Sequence, residues 1–458
     1  MKPFTALSST GQLGDTPFEE VSFFKGLREN PDFMGADAGS CDIGPTYLGG
    51  DIGHNPAEWE MHDIELLLTA SRERRIPLVI ASCGGAGTNR AVDSYVEMVS
   101  EVTRKKGIQR FRLAKIYSEV TPQYLSERID RGERIRSLGH LADLDKKTLE
   151  ETSHIVGMMG VEPMIEAFKM SAEVIIAGRA CDDAIFAALP VHLGYPKGLS
   201  YHMGKLIECA SLVGTPTMVK ESVLATLSDE DLILEPMHPD QRCTPTSVAG
   251  HSLYERSDPY RQLFPGGMLD TSQSVFEAID PRRTRITRSA FVPDPVYKVK
   301  LEGAGPLGYR AYTIVGIRDK VALNNLDSIF SDARLKVEAL SGFREGRDYQ
   351  LLFHVYGRNG VMGPLEPIKE FKSHEVGIVC EAISRDEHRA KLIAKLAKFR
   401  IFYAKYPAQK NSSGGGGGVI TDEVLTTGRM SYRWTVDHLM ELKNPCEIFP
   451  IILMEIGK

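Results

Sequence analysis

The 458-residue chain lacks the cysteine spacing of a zinc knuckle, a redox pair or a disulfide framework. Its seven cysteines stand at 41, 83, 181, 209, 243, 380 and 446, with no CxxC and an odd number. That pattern reads as reduced thiols in a cytosolic protein. HxxxH, HxH and facial-carboxylate spacings are also missing, so no metal site is expected. The chain has no surplus of basic residues: 55 Lys and Arg stand against 61 Asp and Glu, a net charge of −6. This argues against nucleic acid held by a general positive field. No apolar run approaches the length of a membrane span, and the opening MKPFTALSSTGQLGD carries no hydrophobic signal region. The expectation is a cytoplasmic protein with no membrane or nucleic-acid partner.

What remains is a globular composition, 42% apolar and 25% charged, on a chain long enough for more than one domain. Glu58–Arg75 reads as a helix, with Ile64, Leu67 and Leu68 on one face and arginines at its C-terminal end. Pro77 stops it. Leu78–Ala81 is a continuously apolar strand of the kind buried on both faces. In Asn89–Lys106, residues Val92, Tyr95, Val96 and Val99 recur at helical spacing, and Gly107 ends the pattern. Phe111–Val120 reads as the next strand. A second unit repeats the logic: helix Val161–Lys169, strand Glu173–Ala177, a Gly-Arg turn and helix Asp182–Leu189. Strands separated by helices predict an α/β fold with a parallel sheet over residues 1–295. After Pro293-Asp294-Pro295 come the strand-like YKVKLEG, YRAYTIVGI and YQLLFHVYG, then a basic helical stretch, Ser384–Phe402. They predict a smaller α+β domain over 296–458. Its Gly414–Gly418 run is either a binding loop, a lid or a solvated linker.

Four loops carry candidate chemistry. In SCGGAGTNR, Gly84, Gly85 and Gly87 lie between a buried strand and a helix start. Such a turn presents unpaired N–H groups and the helix dipole to an anion, with Thr88, Asn89 and Arg90 at hand. The alternative is a tight turn with no ligand. GADAGSCDIGPTYLGGD holds Asp37, Ser40, Cys41, Asp42 and Tyr47; Cys41 would be a nucleophile only as a thiolate, or else an inert packed residue, and the Asp pair would bind a metal, an amine or a hydroxyl, or serve as local caps. In AGRACDDAIFAAL, Arg179 at a strand end would clamp a carboxylate or phosphate with its planar fork, or bridge a neighbouring Asp. The fourth stretch carries Arg242, Cys243, His251 and Tyr254, with His251 a candidate acid or base or simply a packed histidine.

These blocks, taken in order with HMGKLIECA, RCTPTSVAGHSLYE, PGGMLDTS and the late YPAQKNSSGGGGG and MSYRWTVDHLMELKNPCEIFP, resemble the acyclic terpene utilisation AtuA-like family, known also as a domain of unknown function. The resemblance implies a cytoplasmic catabolic protein associated with branched or terpenoid acids handled as CoA thioesters, or with other small carboxylates. It carries no established reaction or catalytic residues.

Two functions follow. In the first, the chain is a lyase, hydratase or isomerase working α to a carbonyl. Asp42, Asp182 or His251 moves the proton. Ser40, Cys41, Gly84, Gly85, Gly87, Thr88, Asn89, Arg90, Arg179 and Arg242 hold an acidic small-molecule substrate, and backbone N–H groups face an enolate. In the second, the same pocket belongs to a non-catalytic binding or partner subunit. A nucleotide-dependent enzyme is disfavoured because no Walker lysine follows the glycines. No resident cofactor is read from the sequence; CoA would enter as part of the substrate. A homo-oligomer is expected, since closed symmetric assemblies are common.

Overall fold

A computed structural model describes residues 1–370, 372–410, 416–417 and 423–458. The chain divides into two compact units, residues 1–305 with 434–458, and residues 306–433.

The first unit is built on a ten-stranded sheet. Its centre is five parallel strands: β1 (Phe4–Ser8), β2 (Phe33–Asp37), β3 (Leu78–Ala81), β4 (Phe111–Ile116) and β5 (Val174–Ala177). Their spatial order is β1-β2-β3-β5-β4. Both flanks are antiparallel. Val223–Leu227, Asp231–Pro236, Thr284–Thr287 and Val275–Ala278 extend the sheet beyond β1, and Ile451–Ile456 pairs with β4. The expected parallel sheet is therefore corrected to a mixed one. Antiparallel neighbours need only short connections, and Val223–Leu227 and Asp231–Pro236 are joined without a helix.

The apolar runs of the central strands alternate between two cores. Leu78, Ile80, Val174 and Ile176 pack with Ile64, Leu67, Leu68, Val92, Tyr95 and Val99. Val79, Ala81, Ile175 and Ala177 pack with Ile185, Phe186, Leu189, Leu199 and Leu206. A strand buried on both faces cannot alternate polar and apolar residues, which is why LVIA and VIIA read as solid runs. Three helices matter for the site: α1 (Asn89–Lys106), α2 (Asp182–Leu193) and α3 (Lys197–Ile207). Thr88 caps α1 by accepting from Ala91 N, and Gly107 closes it in the left-handed region at φ 65°. Helix α2 runs past the expected Leu189 and accommodates Pro190 in its last turn.

In the second unit, the part of strand Lys298–Ile317 beyond Pro306 pairs with Val376–Ser384, which pairs with Gln350–Tyr356. Helices Leu326–Ser341 and Glu387–Phe402 supply its core with Ile329, Ala333, Ile393 and Ala397. Gly416–Gly417 pairs with Ile317 and Gly316; the rest of the Gly414–Gly418 run lies outside the described residues. Among the described residues, no helix is long and apolar enough to cross a membrane.

Candidate functional site

The turns that leave β2, β3, β4 and β5 meet at the C-terminal edge of the parallel strands, where open α/β sheets bind ligands. Their glycines allow one turn to touch the next. A side chain at Gly39 would overlap Gly85, one at Gly87 would overlap the backbone of Arg179, and one at Gly178 would overlap Ser118 Oγ. Ser118 ties three turns together. Its hydroxyl accepts from Arg179 N at 2.8 Å and donates to Gly87 O at 2.8 Å.

The anions at the head of α1 come from the protein. Asn89 N donates to Glu119 Oε2 at 2.8 Å, and Glu119 Oε1 lies 2.7 Å from His154 Nδ1. Thr88 Oγ1 donates to Asp51 Oδ1 at 2.6 Å, and Arg90 Nε reaches Asp51 Oδ2 at 2.7 Å. Gly85 N bonds Ala38 O and Ser82 O, and Gly87 N bonds Cys83 O. Gly84 takes φ 67° within this knot. The glycine turn thus presents carbonyl, carboxylate and hydroxyl groups already in contact with its own N–H groups.

Arg179 is buried. Its Nε donates to Glu302 Oε2 at 2.7 Å, and its Nη1 to Ala180 O at 3.0 Å and Asp182 Oδ1 at 3.4 Å. Glu302 Oε1 lies 2.9 Å from Lys300 Nζ, which lies 3.6 Å from Asp437 Oδ1. Burial alone would push the Glu302 carboxyl up; Arg179 and Lys300 outweigh it and hold the group at about 2. Burial and Glu302 push the Cys41 thiol far up, so it stays protonated. Burial, together with Asp182, raises Asp37 well above the carboxylate range, and its Oδ1 has no hydrogen-bond partner among the described residues. Burial also raises Asp182, against the pull of Arg179.

Lys300 and Glu302 open onto a cleft of about 410 Å³. Cys41, Asp42, His140 and Asp437 give it further polar groups, and Leu141, Trp434 and Val436 give it an apolar wall. Asp42 is exposed at the cleft, in a short 3-10 turn whose cap is Ser40: Ser40 Oγ accepts from Asp42 N. Among the described residues, no three His, Cys, Asp or Glu side chains gather as a metal site.

Ser40, Cys41, Asp42, Arg179 and Asp182 therefore come together with the glycine turns. His251 sits elsewhere on this unit, in helix Pro245–Ser252, stacked on Tyr254 with ring centroids 5.6 Å apart. Arg242 is exposed, and its backbone pairs with Thr215. Lys300, Glu302, Trp434 and Asp437 were not candidates from sequence. A signal for two of them exists. In KVKLE, Val299 and Leu301 are buried on one face, which puts Lys300 and Glu302 together on the other.

Comparison with curated proteins and with solved structures finds no match. Residues 8–424 match the model of the family described as acyclic terpene utilisation family protein AtuA, and the chain belongs to that family.

Proposed function

We propose that this protein is an enzyme that binds a small branched carboxylate, or its CoA thioester, in the Lys300 cleft and moves a proton at the carbon α to the carbonyl. The observation that carries this reading is the Arg179–Glu302–Lys300 chain beneath a half-apolar cleft. Trp434, Leu141 and Val436 offer a surface to a branched hydrocarbon chain. Lys300 offers a fixed ammonium to the carbonyl or carboxylate oxygen.

The ion-pair chain sets how that ammonium works. Arg179 keeps Glu302 ionised, and Glu302 holds Lys300 in place, so little reorganisation is needed as negative charge develops on an enolate oxygen. Arg179 is thus a positioning residue. Asp42, exposed at the cleft, takes the proton from the α-carbon. Return of that proton to another carbon is isomerisation; departure of a β-substituent is a lyase or dehydration step. Cys41, held as a thiol, packs against Glu302 and takes no nucleophilic part.

The test uses 3-methylbutyrate, its CoA thioester and CoA alone as probes, read by thermal shift and by NMR of hydrogen exchange at the α-carbon in D₂O. The expected result is stabilisation by the acid or thioester beyond CoA alone. Lys300→Met should weaken it about tenfold or more, as loss of a charged hydrogen bond does. Asp42→Asn should keep binding and lose exchange. Equal binding by parent and Lys300→Met, or exchange that survives in Asp42→Asn, overturns the reading.

A further inference from the structure

His140 and Asp437 line the Lys300 cleft and take no part in proton abstraction at the α-carbon. The fold ties them to one place. Arg136–Ser137 pairs with Leu439 and His438, and just beyond that pairing Leu138 N donates to Asp437 O at 2.9 Å. On the other side of the loop, His438 Nε2 lies 2.8 Å from Ala142 O. Between these two ties, a side chain at Gly139 would stand 3.6 Å from Asp437 Oδ2, and His140 is the next residue. The other carboxylate oxygen, Asp437 Oδ1, lies 3.6 Å from Lys300 Nζ. Asp437 therefore has the Lys300 ammonium on one side and the His140 loop on the other. Its side chain is 40% exposed and His140 is exposed, so both are open to a ligand in the cleft.

This row has a chemical order. Lys300 takes a carbonyl or carboxylate oxygen. Asp437 accepts a hydrogen bond, and the His140 ring donates one. A hydroxyl donates once and accepts twice, so it suits an acceptor and a donor side by side. A second carboxylate is repelled by Asp437, an ammonium by Lys300, and a hydrocarbon leaves both polar groups without a partner. Lys300 and Asp437 are close enough for one short molecule to meet both, with its carbonyl oxygen on the lysine and an oxygen two carbons along, at the β position, on the aspartate. Leu141, next to His140, belongs to the apolar wall with Trp434 and Val436. Alkyl groups on that β-carbon thus have apolar surface beside the partners of the hydroxyl.

We infer that the substrate of the cleft is a β-hydroxy carboxylate or its thioester, that Asp437 orients its hydroxyl, and that His140 protonates this hydroxyl as it leaves as water. The inference rests on the proton abstraction proposed above. Asp42 takes the α-hydrogen as a proton, and the electron pair of that C–H bond becomes the α,β double bond. The C–O bond at the β-carbon breaks, and its electron pair takes a proton from the His140 ring, releasing water. Asp42 and His140 are both exposed, so solvent returns them to their starting states.

The experiment uses 3-hydroxy-3-methylbutyrate and its CoA thioester, labelled with ¹⁸O in the hydroxyl. Label loss to water is followed by mass spectrometry, beside α-hydrogen exchange in D₂O. The parent should show both. His140→Gln, which keeps an amide donor but has no proton to give up, should lower label loss relative to α-exchange in the same sample by about 100-fold or more. Asp437→Ala should lower the preference for the hydroxy acid over 3-methylbutyrate, read as a ratio of half-maximal concentrations by thermal shift, by about tenfold. In the parent, α-exchange without label loss overturns this inference and leaves the proton-abstraction reading standing. Neither event, or label loss without α-exchange, overturns both. Label loss undiminished in His140→Gln, or a hydroxyl preference unchanged in Asp437→Ala, overturns the inference as well.

Discussion

Two buried glutamates in the first unit show how neighbours decide a carboxyl group's state. Glu302 sits between Arg179 and Lys300 and is held at about 2. Its contribution to stability is present above the unfolded value near 4.5 and is lost as pH falls toward 2. Burial pushes Glu60 to about 7, against the pull of the Tyr95 hydroxyl, which donates to its Oε1 at 2.8 Å. The sign reverses there. Below pH 4.5 both folded and unfolded states hold the proton, and no penalty arises. Above pH 7 the folded state must carry a buried carboxylate that the unfolded chain carries freely. Glu60→Gln keeps an acceptor for Tyr95 and removes the charge. Relative to the parent, this variant should gain about 3 kcal/mol as pH rises from 4.5 to 8. Urea unfolding across that range checks it; parallel stability curves for the two proteins would rule it out. Neither environment was legible in sequence. Glu302 gains its partners from Arg179, far back along the chain, and only the alternation of KVKLE marks it as facing with Lys300.

At the scale of elements, the local signals were readable and their partners were not. The strand–turn–helix from Leu78 to Lys106 follows from an apolar run, a Thr cap, helical spacing and a terminal glycine, each contained in a few residues. The cluster of glycines in SCGGAGTNR says that the backbone must be bare. It does not say whether a ligand or another turn comes close, because the neighbour lies elsewhere in sequence. The neighbours include Gly39, Gly178 and Arg179. Two glycines of similar dihedral angle separate these demands. Gly107, φ 65°, has open space where a side chain would go, whereas Gly87, φ 68°, abuts the backbone of Arg179 and Gly178. Gly107→Ala should cost about 1–2 kcal/mol, the penalty of the left-handed region alone. Gly87→Ala should cost several times that, since backbone must move in two turns. Comparable denaturation midpoints for the two variants would mean that the turn knot is looser than its geometry.

For the molecule as a whole, the cores are divided in the same way as the chain. Two hydrophobic clusters cover the two faces of the central strands in the first unit. A third is made of residues of the second unit alone, among them Ala333, Val337, Ile378, Ile393 and Ala397. Every residue assigned to the Lys300 cleft belongs to the first unit, including Trp434 and Asp437 from the chain's return. That return explains why the cleft was only half visible in sequence: its polar side comes largely from before residue 305, and its apolar wall largely from after residue 433. It also makes the placement of the site testable without touching it. Ile393 is fully buried in the second unit's core. Ile393→Ala should lose about 2–5 kcal/mol from that unit, the usual cost of such a cavity. If binding depends on the first unit alone, the probe concentration giving half-maximal response should stay within about twofold of the parent for the acid or thioester in the cleft, read below the variant's unfolding temperature, because independent sites combine additively. A larger loss of that response, with the variant still folded, would mean that the second unit's core takes part in shaping the site.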